Sequence, residues 1–349
     1  MGRDGSRPAS PAVLAVDGGG SKADAILVDR AGRIVGSGRW LGRSSVGPTD
    51  SLDGLSSAVE AACVDAGLDP ARRPLAAVGA FCLAGVDFPA DERRADRALA
   101  RRGWTGRNLV HNDTFAVLRA GTDRGWGVAV VCGAGMNAIG VGPDGQTARF
   151  AALGPLSGDL AAGGEWVGLA ALGAAIRARD GRGPRTALEQ AVAAHFGGSR
   201  PETVMRAMYR GSLPPDRLTE LPPAVFDAAS RGDVVAREIL DRLADEIVTW
   251  ATAAIRRLRA TRADVDVVLG GGIFRAGDPM FLDRIDVGIT PVAPHAHIRI
   301  LTGPPVLGAA LMGLDEIGAT PAASRRIRRA LEETNDRAAI AAGNPTRGA

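Results

Sequence analysis

The sequence predicts an α/β fold of two related lobes, each opening with a glycine-turned β-hairpin. Three observations predict it. An apolar run stops at a glycine-rich turn and resumes as two further β-runs, and this pattern occurs twice, over residues 12–35 and 127–150. A third glycine cluster, Gly270 to Gly272, again directly follows an apolar β-run. Between the second and third clusters, apolar residues recur at helical spacing over two to three dozen positions.

The chain has 349 residues, too many for one ordinary core, which points to two domains. Apolar residues make up 46% and aromatics only 4%, so the cores must be built from Ala, Val, Leu and Ile. Forty-two basic groups nearly balance 39 acidic ones, and no basic run is interleaved with aromatics, which disfavours nucleic acid as a partner. Lys22 is the only lysine. The three cysteines, Cys63, Cys82 and Cys132, are odd in number and not spaced as a metal clip, which fits a reduced, cytoplasmic setting. No stretch approaches the ~20 apolar residues of a membrane helix. Residues 1–10 and 343–349 are expected to be disordered tails.

The elements follow in order. Ala12 to Val16 reads as a strand, Asp17 to Ser21 as a tight turn, and Ala25 to Val28 as a second strand. Asp29 to Gly32 is a turn signal, and Arg33 to Val35 a third strand. The second copy runs Gly127 to Val131, then Cys132 to Asn137, Ala138 to Val141, Gly142 to Gly145 and Gln146 to Phe150. A shift of 113 positions lays Ala25 on Ala138, Ile26 on Ile139, Val28 on Val141 and Gly20 on Gly133. This is the mark of a duplicated β-unit, although two unrelated hairpins would read similarly. Between the copies lie a helix near 51–67, a strand over 75–83, a helix near 91–102 and a strand over 107–110. After the second copy the chain turns helical. Ile239, Leu243, Ile247, Trp250, Ala254 and Leu258 form one apolar stripe, and the pairs Pro214-Pro215 and Pro222-Pro223 break the region. A strand over 265–269, a strand near 298–301 and a helix from Leu307 follow.

Glycines after a strand can serve phosphate. A turn that meets phosphate must bring backbone N–H groups close to oxygen, where a Cβ obstructs, and some turn positions need positive φ. Gly18, Gly19 and Gly20, with the Ser21 hydroxyl, and Gly133 with Gly135 can meet those needs, and two such hairpins facing each other would clamp a polyphosphate. A Walker loop and a dinucleotide fingerprint both require a helix after the glycines. Here Asp24 to Val28 reads as β, which excludes both. A plain hairpin without ligand remains the bland alternative.

Among the acidic residues, Asp113 follows a strand and opens a helix, so it stands where α/β sheets place ligands. It reads equally as a general base or an N-cap, and one residue can do both. Asp17, at the mouth of the first hairpin, is a candidate for magnesium through water. Asp159 is a loop carboxylate or a helix cap. Asp87 either touches substrate or caps the next helix, and Lys22 either meets phosphate or is solvated. His111, His195, His295 and His297 form no metal-ligand set and read as structural.

At these residues the chain resembles the N-acetylglucosamine kinase branch of the BadF/BadG/BcrA/BcrD-type ATPases, over roughly residues 13–318. Val16 to Lys22 resembles the first phosphate motif, and Asn112-Asp113 the catalytic-base motif. Gly133 to Asn137 resembles the second phosphate motif, Gly158-Asp159 the start of the sugar loop, and Leu269 to Phe274 the adenosine motif. The resemblance implies a two-domain ribonuclease H-like (actin-like ATPase) fold with a helical insertion in the second lobe. Its expected lobes are residues 11–118 and 119–318, with a C-terminal helix over 319–342 that could pack back on the first. It implies ATP- and magnesium-dependent transfer to a sugar 6-hydroxyl, commonly by a homodimer. Carried over by position, Asp113 is the base, and Gly19, Gly20, Ser21, Lys22, Gly133, Ala134 and Gly135 serve the phosphates. Gly271 and Gly272 serve adenosine. Ser45, Ala84, Gly85, Asp113, Thr114 and Asp159 lie near the sugar, and Asp17 near magnesium.

The chain departs from that pattern in places. Ala134 stands where threonine is usual in the second phosphate motif. The sugar loop, usually Gly-Asp-Glu-Gly-Ser, reads Gly158-Asp-Leu-Ala-Ala-Gly-Gly164, and Leu153 replaces a common aromatic. Ser44 or Ser45 stands in for an asparagine. The altered loop could admit Glu165 or Trp166 to the sugar. Two other functions compete with N-acetylglucosamine phosphorylation: an ATPase that activates a redox partner through cluster-binding cysteines, and a sugar sensor without turnover.

Overall fold

The structure is a computed structural model and describes residues 10–20, 22–42 and 52–341, with side chains as far as Thr334. Ser21, Ser44 and Ser45 lie outside the described residues, as do the expected tails apart from Ser10.

Two compact units divide the chain. One runs to Gly125 and resumes at Leu301; the other is Trp126–Ile300. The first holds β1 (Val13–Gly18), β2 (Lys22–Val28), β3 (Ile34–Leu41), α1 (Asp53–Asp65), β4 (Ala76–Leu83), α2 (Pro89–Arg102), β5 (Thr105–His111) and α3 (Asp113–Gly121). The second holds β6 (Gly127–Cys132), β7 (Met136–Val141), β8 (Thr147–Arg149) and the helices α4 (Gly163–Asp180), α5 (Leu188–His195), α6 (Pro201–Tyr209), α7 (Pro222–Ser230) and α8 (Val234–Arg257). It closes with β9 (Asp266–Gly270), α9 (Pro279–Ile289) and β10 (His297–Ile300). Two further helices, α10 (Val306–Glu316) and α11 (Pro321–Ala341), return to the first unit.

Each unit contains one five-stranded sheet, in the orders β3-β2-β1-β4-β5 and β10-β9-β6-β7-β8. The first hairpin strands are antiparallel (β1/β2, β2/β3; β6/β7, β7/β8), and the later strands join in parallel (β1/β4, β4/β5; β6/β9, β9/β10). The two sheets therefore have the same topology, as a duplicated unit requires. Val28 and Val141 are 113 positions apart, whereas their partners Val13 and Gly127 are 114 apart. The difference is the turn: four residues separate the pair Gly18/Ala23, and three separate Cys132/Met136.

The first sheet is covered on both faces, as its largely apolar strands require. Leu14, Val16, Ala25 and Leu27 pack toward α1, with Leu55, Ala58, Val59 and Ala62. Val13, Ala15, Ile26 and Val28 pack toward α3, α10 and α11, with Ala116, Leu307, Leu311 and Ile327. This second layer explains where the units divide. Residues 301–318, expected in the second lobe, belong with the first because α10 lies directly on α3; a Cβ at Gly308 would meet the Ala116 carbonyl at 1.8 Å. The division near 118 expected from sequence falls instead at Gly125, since α3 runs on to Gly121. In the second unit the predicted stripe on α8 is buried, with Ile239, Leu243, Ile247, Trp250 and Ala254 in one core. The paired prolines start a 3-10 turn at Pro215 and α7 at Pro222, where their missing N–H groups are harmless.

Candidate functional site

In the first unit the parallel strands β1, β4 and β5 bring three loops to one edge of the sheet. Asp17 lies at the end of β1, Ala84 and Gly85 follow β4, and Asn112-Asp113 follow β5. The N–H of Ala84 donates to the Gly18 carbonyl at 2.7 Å, which ties the loop after β4 to the first turn.

Asp113 is not the helix cap. Asn112 holds that position, its Oδ1 accepting the Thr114 N–H at 3.0 Å and the Thr114 hydroxyl at 2.6 Å. Asp113 is left half-buried at the first helical position, where the helix dipole favours its charge. Burial first, and the Asp87 carboxylate second, nevertheless push its pKa up from 3.8 to about 6. Asp87 does not cap α2 either. Asp91 does that work by accepting the Phe88 N–H, while Asp87 accepts the Asn112 Nδ2–H at 2.9 Å. Asn112 therefore ties Asp87 to the start of the helix that opens at Asp113, a connection the sequence could not show.

Asp17 is buried on the same face of the sheet. Burial, followed by Asp113, pushes its pKa up from 3.8 to about 8, against the pull of Lys22. Lys22 is half-buried, and its Nζ donates to Asp24 at 2.5 Å. Asp24 is itself buried and also accepts from Arg39 at 2.5 Å. The lysine is thus held at the turn rather than swinging freely in solvent. Asp24 is a support the sequence reading missed; its only sign was an acidic residue in an otherwise apolar strand.

Thr114, expected near the sugar, is 1% exposed and donates its hydroxyl to Asn112, where it supports the cap. Positive φ was invoked for the phosphate turns, but Gly18, Gly19, Gly20, Gly133 and Gly135 all lie outside that region. At Gly20, Gly133 and Gly135 a Cβ would meet nothing within 4 Å, so the chain itself does not demand glycine there. These glycines leave open space above backbone amides, which is the shape an anion needs.

The second unit assembles its own cluster. Gly133 N–H closes the turn onto the Gly135 carbonyl at 2.9 Å, as Gly19 N–H closes the first turn onto Lys22 at 2.9 Å. The start of α4 docks on this turn: Gly164 N–H donates to the Gly133 carbonyl at 2.8 Å and Glu165 N–H to the Ala134 carbonyl at 2.9 Å. Gly163 makes that approach possible, with φ 81° and a hypothetical Cβ only 2.4 Å from the Gly135 oxygen. Gly271 abuts the same turn from the end of β9, with φ 108° and a hypothetical Cβ 2.3 Å from the Cys132 carbonyl; Gly272 is open and exposed. Asp159 is half-buried and accepts the Ser157 hydroxyl at 2.9 Å. Glu165 is exposed, but Trp166, offered as a sugar contact, packs its ring against the core.

Among the described residues no group of three or more His, Cys, Asp or Glu side chains is placed to hold a metal ion. Magnesium is ordinarily bound by one or two carboxylates plus substrate phosphates and water. Asp17, a single carboxyl beside a phosphate-shaped turn, fits that kind of site. All three cysteines are free and buried, and burial raises each thiol pKa. No described helix is long and apolar enough to cross a membrane.

The profile of the BadF/BadG/BcrA/BcrD ATPase family matches residues 14–313. A Dictyostelium discoideum protein named N-acetyl-D-glucosamine kinase is 26% identical over 325 residues, covering 86% of this chain and 97% of its own. A Clostridium acetobutylicum protein named N-acetylmuramic acid/N-acetylglucosamine kinase is 27% identical over 209 residues, 59% of this chain and 68% of its own. A solved structure from Chromobacterium violaceum, provisionally named an N-acetylglucosamine kinase, superposes with a TM-score of 0.68 at 27% identity, covering 87% of this chain and 99% of that one.

Proposed function

We propose, from the premise that the chain belongs to the BadF/BadG/BcrA/BcrD ATPase family, that it transfers the γ-phosphoryl group of ATP to the 6-hydroxyl of an amino sugar, with N-acetylglucosamine as the first choice. The observation that carries this reading is Asp113. It is a half-buried carboxyl at a strand's carboxyl end, its neighbour capped by Asn112 and its pKa pushed up to about 6. A group poised near neutrality is suited to accept a hydroxyl proton. The bond from the sugar O6 to phosphorus forms, the bond from phosphorus to the ADP oxygen breaks, and the hydroxyl proton passes to Asp113.

Such a reaction asks the protein mainly for positioning and charge stabilisation. In this reading the amides around Gly19, Gly20 and Ser21 and around Gly133, Ala134 and Gly135 meet the phosphates, and Lys22 adds a fixed positive charge. Gly271 and Gly272 border adenosine. Ser45, Ala84, Gly85 and Asp159 border the sugar. Magnesium, when bound with the nucleotide, neutralises phosphate charge, and Asp17 would receive it through water. The names of the relatives support the choice of sugar. The buried free thiols suit a reducing, cytoplasmic setting, and they give little support to a redox-activating ATPase that must hold a cluster at its surface. We place the working form as a homodimer, which sedimentation would test.

A coupled ADP-release assay over N-acetylglucosamine, glucosamine, N-acetylmuramic acid and glucose tests the reading, with the first expected to be turned over best. Asp113→Asn is expected to lower kcat by about 10²–10⁴ with the fold retained. Undiminished turnover in that variant would remove Asp113 as the base.

A further inference from the structure

The loop between β8 and α4 has a support from a distant part of its own unit. Glu246 sits midway along α8 on its buried face, 7% exposed, among Leu243, Ile247 and Trp250. A carboxylate in apolar surroundings is costly unless its oxygens are used. Its Oε1 accepts the Trp250 indole N–H at 3.1 Å and the backbone N–H of Leu160 at 3.2 Å. Leu160 directly follows Asp159. One residue further, Ala161 is buried in the core, and two beyond that Gly163 closes on the second turn. The loop is therefore fixed from beneath at 160, 161 and 163, while Asp159 is held from above by the Ser157 hydroxyl. An apolar residue at 246 would suit the packing equally well. What only an acceptor supplies is the bond to Trp250 and the tether to the loop.

We propose that Glu246 is a positioning residue: by fixing the backbone at Leu160 it sets where Asp159 stands, and so sets affinity for the sugar. The sugar part rests on the kinase reading above; the tether does not. Glu246→Gln keeps an acceptor oxygen for both N–H groups, and Glu246→Leu removes it. Trp250→Phe removes the other donor and leaves the loop bond in place.

Two measurements on the full chain decide the matter: hydrogen exchange at the Leu160 amide, and steady-state kinetics with N-acetylglucosamine and ATP varied separately. Glu246→Leu is expected to lose at least about tenfold protection at Leu160 and to raise the sugar KM by about tenfold or more, as loss of that hydrogen bond would. The ATP KM stays near wild type, and Glu246→Gln and Trp250→Phe both keep the protection and the sugar KM. Unchanged protection in Glu246→Leu overturns the proposal. So does a parallel rise of both KM values that Glu246→Gln fails to restore, because that pattern marks general loss of structure. If the wild-type chain turned over none of the sugars, the kinase reading would fall, and exchange at Leu160 would still decide the tether by itself.

Discussion

Asp87, held by Asn112, raises the pKa of Asp113, and the consequence is a pH dependence with a definite sign. Asp113 accepts a proton only when ionised, so kcat/KM for the sugar should fall as pH drops through about 6. Asp87→Asn removes a negative neighbour, so the Asp113 pKa should fall and the acid limb should move to lower pH. A limb that stays in place would show that Asp87 does not act on the base. Lys22 offers an independent test of the first turn. As the only lysine, it and the α-amino group are the only targets for an amine-selective acylating reagent. Mg-ATP is expected to protect Lys22 from labelling, read by peptide mass spectrometry; equal labelling with and without nucleotide would take Lys22 away from the phosphates. The sequence revealed Asp113 because it combined a strand end, an acidic residue and a helix start. It hid Asp24 and Glu246, whose roles depend on partners 15 and 86 residues away. The one available sign was a carboxylate placed where the apolar pattern called for something else.

The elements themselves were legible wherever the pattern was periodic. The hairpins, the α8 stripe and the glycine-terminated strand β9 all lie within a few residues of where the spacing put them, with β1 running on to Gly18 and β2 starting already at Lys22. β3 was read too short, ending at Val35 rather than Leu41. The cause is Gly36 and Gly38, which look like turn residues and are in fact contact points. A Cβ at either would lie 2.1–2.3 Å from carbonyl oxygens of α1. The glycines let a helix lie flat on a strand, a tertiary reason that local composition cannot express. The same kind of contact governs the junction of α4 with the second turn. Gly163→Ala must strain φ and displace Gly135, at a cost of about 1–3 kcal/mol. The expected outcome is a KM for ATP raised by about tenfold, with a modest loss in Tm. An unchanged ATP KM would separate this junction from nucleotide binding.

At the scale of the whole chain, the α/β class and the duplication were readable because one pattern occurred twice. The ownership of residues 301–318 was not, since nothing in a helix sequence states which sheet it will cover. That return is firmly made. Arg328, on α11, donates to the carbonyls of Ala120, Arg119 and Thr122 at 2.6, 3.2 and 3.1 Å, closing the C-terminal end of the helix that begins at Asp113. Arg328→Ala leaves partly buried carbonyls unsatisfied and should cost about 1–3 kcal/mol, seen as a Tm lower by several degrees. A Tm equal to wild type would show that water replaces the guanidinium without loss.

Synthesis on the ribosome gives that C-terminal return a further meaning. Strands β1, β2 and β4 emerge early, but the residues that cover one side of them, Val306 to Leu331, emerge almost last. At roughly 5–20 residues per second, that side of the first sheet lacks most of its cover for many seconds while the entire second unit is made. The nascent chain therefore carries Val13, Ala15, Ile26 and Val28 with only Ala116 and Ala120 of α3 to cover them throughout the interval, and its yield in a cell is expected to rise with chaperones that can shield a half-built sheet.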